Sequence, residues 1–157
     1  MENYMKLEIA AVGENESFAR SAVAAFALAL NPSLTELSDI KTAVSEAVTN
    51  CIVHAYKSKQ PANRIVIECD LKKDEMAGVL HIKITDYGCG IEDVEKAVLP
   101  FYTTLENDER SGMGFTIMQT FMDDCTVQSE RGKGTRVEMT KTIGVFENGE
   151  VRKRVDA

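Results

Sequence analysis

The chain has 157 residues and a mass of 17.3 kDa, the size of one ordinary domain and too short for two. It is 44% hydrophobic and 27% charged, which supports a packed core and argues against disorder over most of its length. The 18 Lys and Arg against 25 Asp and Glu leave a net charge of −7, which argues against nucleic acid or an anionic membrane as the main partner.

No apolar run approaches the roughly 20 residues of a membrane span. The N-terminus, Met1 to Lys6, lacks the basic-then-apolar pattern of a secretory signal, so a cytoplasmic location is expected. Cys51, Cys69, Cys89 and Cys125 are far apart, with no CxxC spacing for a zinc site. Three of the four lie inside apolar patterns, where a reduced Cys acts as a small hydrophobe, and all four are expected to be free.

Leu7, Ile9 and Ala11 alternate with Lys6, Glu8 and Ala10, which predicts a short strand broken by Gly13. A helix is expected from about Ser17 to Leu30, capped by Glu14 or Asn15. Its apolar stripe is Phe18, Ala22, Val23, Phe26 and Leu30, and Asn31-Pro32 stops it. A longer helix, capped by Ser33 or Thr35, is expected to reach about Tyr56. Its stripe is Leu37, Ile40, Val44, Ala47, Val48, Cys51 and Ala55. At roughly 100° per residue, Glu46 and Asn50 fall one turn apart on one flank of that stripe, with His54 beside them.

Two alternating segments follow, around Ile65 to Lys72 and Leu80 to Thr85, joined by a polar link of hairpin length. The second runs into Asp86-Tyr87-Gly88-Cys89-Gly90, and Ile91 to Leu99 reads as a short amphipathic helix. Pro100 to Ser111 is polar and without period. It ends in Gly112-Met113-Gly114-Phe115 at the start of a Met-rich helix running to about Met122. Strands near Cys125 to Glu130 and Thr135 to Ile143 flank Arg131-Gly132-Lys133-Gly134. Residues 1–143 thus form one domain, and 144–157 a polar tail expected to be flexible. Hairpin-linked strands with packed helices give an α+β fold: a two-layer sandwich whose mixed, mostly antiparallel sheet carries helices on one face.

There is no GxxxxGK[ST], HExxH or GxSxG, and His54 and His81 are the only histidines. Four features remain: Glu46-Ala47-Val48-Thr49-Asn50 on a helix, Asp86-x-Gly88-x-Gly90 after a strand, Gly112-x-Gly114 at a helix start, and Gly132-x-Gly134-Thr135 before a strand. Each alone is common in unrelated chains. All four in this order are far more specific.

Together they resemble the Bergerat-type ATP-binding fold shared by gyrase, histidine kinases and MutL. The stretch from Ser45 to Tyr56 looks like its N box, Asp86 to Gly90 its first glycine box and Gly112 to Gly114 its second. Within that superfamily, Pro100-Phe101-Tyr102-Thr103-Thr104 and Arg110 to Met118 look like the anti-sigma-factor serine kinases of spore-forming bacteria. The likeness runs from the first strand to about Ile143.

That resemblance implies ATP and Mg²⁺ as cofactors and Glu46 as the catalytic base. Asn50, through its side-chain carbonyl, is a fitting ligand for a hard cation whose other positions go to phosphates and waters. Asp86 offers an acceptor to the adenine amine, and Gly88 and Gly90 remove side chains where backbone and nucleotide approach. Thr135 helps to hold the base, often through water. Gly112, Met113, Gly114 and Phe115 open a helix toward the phosphates. Pro100 to Ser111, with Thr104, Arg110 and Ser111, forms the lid, and Arg110 reaches for the terminal phosphate. Glu16 and Arg20, one turn apart on the first helix, are read as a partner patch or as a plain ion pair.

The implied function is twofold: inhibition of a sporulation sigma factor, and phosphorylation of a serine on its anti-anti-sigma antagonist by a homodimer. No direct contact with nucleic acid or membrane is expected. The alternatives are a nucleotide-dependent protein-binding module without kinase activity, or a kinase of a general-stress sigma pathway. A histidine-kinase module would need a helix carrying the phosphoacceptor His, and only a few residues precede the first strand.

Overall fold

A computed structural model describes residues 1–100, 113–147 and 150–152, with side chains through Gly144. Five strands form one sheet: β1 (Glu2–Ala10), β2 (Arg64–Lys73), β3 (Gly78–Asp86), β4 (Asp124–Glu130) and β5 (Gly134–Ile143). Their spatial order is β1-β2-β3-β5-β4. The expected mixed sheet is antiparallel at every pairing among the described residues. Beyond it, β6 (Val145–Glu147) and β7 (Glu150–Arg152) pair as a separate two-stranded ribbon at the start of the polar tail.

The period of two decides which face is buried. Leu71, Leu80 and Lys141 share one row across β2, β3 and β5. The next rows are Cys69, Ile82, Met139 and then Ile67, Ile84, Val137. All of these side chains are buried, and each fully buried Ile or Leu contributes about 1.5–3 kcal/mol relative to exposure. The row after them is Ile65, Asp86, Thr135. The apolar face therefore ends in a carboxylate and a hydroxyl. The opposite face carries Glu68, Asp70, His81, Lys83, Arg136 and Glu138, all half-buried or exposed.

Helices α1 (Glu14–Ala27), α2 (Leu34–Asn50) and α4 (Gly114–Phe121) belong to the second layer, with α2 packed between α1 and α4. Ser33 caps α2: its Oγ accepts the Glu36 N–H at 3.1 Å, while the Glu36 carboxylate accepts the Ser33 N–H at 2.8 Å. The cap of α1 differs from expectation. Gly13 takes that position without a side-chain bond, and the helix begins at Glu14. Asn15 is occupied elsewhere, its amide donating to the Ala10 carbonyl at the end of β1 at 2.9 Å. The buried stripe of α1 is Ala19, Val23, Ala24 and Ala27, followed by Leu30 in a 3₁₀ turn. Phe18, expected inside, is 53% exposed, because the small alanines bring α1 in close on the next face round.

The second helix also departs from its expected end near Tyr56. Regular α geometry stops at Asn50 and a single π turn, Cys51–Ala55, continues the chain. The short helix expected over Ile91 to Leu99 is one turn, α3 (Val94–Ala97), capped by Asp93. All four cysteines are free, with Cys51 and Cys69 buried.

Candidate active site

Glu46 and Asn50 lie in the last turns of α2, half-buried, on the wall of a cleft of about 1310 Å³. Helix α4 starts against them. A Cβ on Gly114 would stand 3.2 Å from Glu46 Oε2 and 3.3 Å from Asn50 Nδ2. A Cβ there would crowd the ends of these two side chains by a few tenths of an ångström, so the helix end stands in close contact with the pair. The first-turn N–H groups of α4 have no acceptor within the helix and carry the positive end of its dipole. A carboxylate, a neutral amide oxygen and a helix N-terminus thus converge on one side of the cleft.

The other side is built around Asp86, 4% exposed at the end of β3. Its Oδ1 accepts the Gly88 N–H at 3.0 Å and the Thr135 N–H at 3.3 Å. Burial raises this carboxyl above its ordinary range. The hydrogen bonds from the Gly88 N–H, the Cys51 thiol and the Thr135 N–H oppose that rise. Cys51 sits under the carboxylate, and burial together with that negative charge holds its thiol protonated. The side chain is thereby aimed and kept as an acceptor in a largely apolar wall.

Three glycines fasten the loops around Asp86 through backbone-to-backbone contact. A Cβ on Gly88 would stand 2.1 Å from the Ala55 carbonyl oxygen, on Gly90 2.2 Å from that of Glu130, and on Gly134 2.1 Å from that of Asp86. Gly90 and Gly134 also hold positive φ, 73° and 114°. The close approaches that Gly88 and Gly90 permit are therefore to protein backbone, a different reason from the one expected. The π turn takes part: its last carbonyl, on Ala55, accepts the Cys89 N–H at 2.7 Å. Such turns recur at functional sites, and here one frees a helix carbonyl to hold a loop. Tyr56 completes the clamp, its hydroxyl donating to the Arg64 carbonyl and accepting the Tyr87 N–H at 2.9 Å.

Glu46, Asn50, Asp86, Gly90, Met113, Gly114, Phe115 and Thr135 all line this one cleft, as does His54. Gly88, between Asp86 and Cys89, is not one of the lining residues. Thr104, Arg110, Ser111 and Gly112 are outside the described residues. Glu16 and Arg20 form an i,i+4 ion pair at 3.2 Å on α1, away from the cleft. The sequence reading missed the Cys51 contact, the Tyr56 clamp, and Lys57, Lys96 and Arg131 at the cleft wall. It also missed Ser129, behind Thr135. Ser129 sits in an ordinary strand alternation, and no motif marks it.

A histidine kinase-like ATPase domain matches residues 9–141. An ATPase domain implies ATP binding. An anti-sigma F factor of Caldanaerobacter subterraneus subsp. tengcongensis is 54% identical over 142 residues, covering 90% of this chain and 95% of that protein. An anti-sigma F factor of Clostridium botulinum is 51% identical over 145 residues, covering 92% and 98%. This chain belongs to the anti-sigma F factor family. Among solved structures, the RsbU and RsbW domains of a Mycobacterium tuberculosis protein align with a TM-score of 0.63 at 16% identity, covering 88% of this chain and 32% of that one. The mycobacterial sensor histidine kinase MprB aligns with a TM-score of 0.51 at 14% identity, covering 92% and 100%. These two neighbours share the fold of this anti-sigma F family member. No helix among the described residues is long and apolar enough to cross a membrane.

Proposed function

We propose that this anti-sigma F family member is an ATP-dependent protein serine kinase that also holds a sigma factor. The observation that carries the reading is the approach of Gly114 to Glu46 and Asn50, opposite a buried Asp86. One end of the cleft suits a purine amine, which finds an acceptor in the Asp86 carboxylate. The other suits a triphosphate, which finds the N–H end of α4. Glu46 takes the proton of an attacking serine hydroxyl. The Asn50 side-chain oxygen would hold Mg²⁺, which when bound offsets phosphate charge. A neutral amide suffices there because the triphosphate supplies the negative charge. The phosphoryl transfer rests on positioning and electrostatics.

The family name supports a sigma factor as one partner. The other is a small anti-anti-sigma protein bearing the acceptor serine, and the chain acts as a homodimer in the cytoplasm. Half-buried Arg20 on α1 is the proposed contact for both partners, with Glu16 beside it. The test is transfer of labelled phosphate from Mg·ATP to the candidate antagonist. Acid-stable label on a serine supports a serine kinase. Acid-labile label would mean transfer to a residue other than serine and overturn the serine assignment, and no label together with nucleotide-dependent sigma-factor binding would leave a binding module instead.

A further inference from the structure

Behind the base end of the cleft lies a hydroxyl that the proposed chemistry does not use. Ser129 on β4 is in register with Thr135 on β5. Its Oγ has three close partners. It accepts the Ile91 N–H at 2.7 Å, lies 3.0 Å from the Gly134 carbonyl oxygen, and lies 2.8 Å from Thr135 Oγ1. Ser129 is half-buried and is not a cleft-lining residue, whereas Thr135 is one.

Proton counting decides the direction of these bonds. A serine hydroxyl has one proton and two lone pairs. A carbonyl oxygen only accepts, so the Ser129 proton goes to Gly134. The Ile91 N–H takes one Ser129 lone pair. The Thr135 contact is then a hydrogen bond only if Thr135 donates to the remaining lone pair. No other arrangement makes all three contacts favourable. Thr135 consequently has no proton left for the cleft and shows lone pairs alone. Asp86 stands next to it in the same row, also an acceptor, with its Oδ1 engaged by the Gly88 and Thr135 N–H groups.

We infer that Ser129 is a positioning residue that fixes the Thr135 hydroxyl as an acceptor, so that the base end reads a hydrogen-bond donor on the purine edge. The inference rests on the nucleotide reading above and adds to it a source of base selectivity. Adenine presents an exocyclic amine there. A purine with a carbonyl oxygen in that place meets two acceptors, unless Thr135 can turn its proton outward. Ser129 prevents that turn. The same hydroxyl ties Ile91, just after the first glycine box, to the turn before β5, so the two loops flanking the base keep one relative position.

The test compares Ser129→Thr with Ser129→Val in the full chain. The two side chains have the same shape and both suit a strand, but only threonine keeps the hydroxyl. Affinities for Mg·ATP and Mg·ITP are measured by calorimetry, ITP carrying a carbonyl oxygen where ATP carries the amine. Ser129→Thr is expected to keep the wild-type preference for ATP. Ser129→Val is expected to lower the ATP-to-ITP affinity ratio about tenfold, the size of one hydrogen bond. Adding Thr135→Val to Ser129→Val should then lower the ratio no further. If Ser129→Val weakened both nucleotides equally, or lost thermal stability with the ratio intact, Ser129 would be merely structural and the inference overturned. Should Ser129→Val fail to fold, Thr135→Val alone must lower the ratio; an unchanged ratio there overturns the inference too. Wild type that binds neither nucleotide would remove the nucleotide reading itself, whereas wild type that binds both equally would remove only this inference.

Discussion

The roles proposed for two carboxylates in the cleft differ because their surroundings differ. Glu46 stands on a half-buried helix flank facing the N-terminus of α4, where a proton acceptor is useful. Asp86 is sealed among strands, where an aimed acceptor is useful. Glu46→Gln keeps size and loses basicity. It is expected to leave ATP affinity nearly intact and slow phosphoryl transfer by about 10²–10⁴-fold; turnover at the wild-type rate would refute its role as base. Asp86→Asn changes a different quantity. Burial raises the folded-state pKa of Asp86, so the folded protein binds this proton more tightly than the unfolded chain does. The contribution of Asp86 to stability therefore falls as pH rises from the ordinary carboxylate range through the raised value. The amide oxygen of asparagine can still accept both N–H groups, while its NH₂ turns a donor toward the cleft. Asp86→Asn should thus match or exceed wild type in melting temperature at pH 7 and flatten that part of the pH dependence, yet weaken ATP binding. Unchanged ATP affinity by calorimetry would show that the base lies elsewhere.

At the scale of elements, α1 and α2 divide the work. Helix α2 places its last turns in the cleft, and the π turn after it carries the Ala55 carbonyl to the Asp86–Gly90 loop. Among the described residues, no part of α1 lines the cleft. Its outer side shows Phe18 and, just past its end, Leu28, both more than half exposed, while the half-buried Glu16–Arg20 pair lies roughly 160° round the helix from Phe18, beside the buried stripe. That pair stabilises the helix by about 0.3–0.5 kcal/mol, and Arg20→Glu also sets two carboxylates one turn apart, so it should lower the melting temperature by only about 2–4 °C. If the flank that carries the pair is the docking surface, the same change should weaken sigma-factor or antagonist binding by about tenfold or more and spare ATP binding. Calorimetry with each partner decides it. Affinities equal to wild type would leave Glu16 and Arg20 as a solvated ion pair.

The whole molecule is held by a polar tie inside its apolar layer. Lys141, 6% exposed on β5, points into the helix layer, where its Nζ donates to the Phe121 carbonyl at 2.6 Å and meets Asp39 Oδ2 at 3.3 Å. One side chain thereby joins the sheet, the C-terminal end of α4 and the middle of α2. A cation at that end of α4 also complements the helix dipole. Removing it strands a carbonyl and leaves a mostly buried carboxylate unpaired. Lys141→Ala is therefore expected to cost about 2–3 kcal/mol. Lys141→Met, which keeps the volume, should cost less. Urea unfolding with an unchanged m-value reads the difference, and equal stability of Lys141→Ala and wild type would show that the tie contributes nothing. The α4 end opposite Lys141 is the one that meets Glu46 and Asn50, so loosening the tie should also reduce ATP affinity.

Periodicity alone was enough to place the five strands of the sheet and the three main helices, because burying one face leaves its mark every second or every third to fourth residue. Spacing alone was enough to put Glu46 and Asn50 on one flank, and the order of the four glycine and carboxylate features carried the family resemblance that implied a nucleotide cleft. Other features depended on partners distant in the chain. Phe18 is apolar and on a helix, but packing of the small alanines against α2 turned it outward. The end of α2 at Asn50 was set by the loop that takes the Ala55 carbonyl, and Gly88, Gly90 and Gly134 are required by carbonyl oxygens of other segments. Ser129 looks like any polar strand residue until β5 is laid beside it and its single proton has to choose among three neighbours. A sequence records which face of an element is apolar; which polar atom meets which is decided only when the elements pack and each buried donor must find its acceptor.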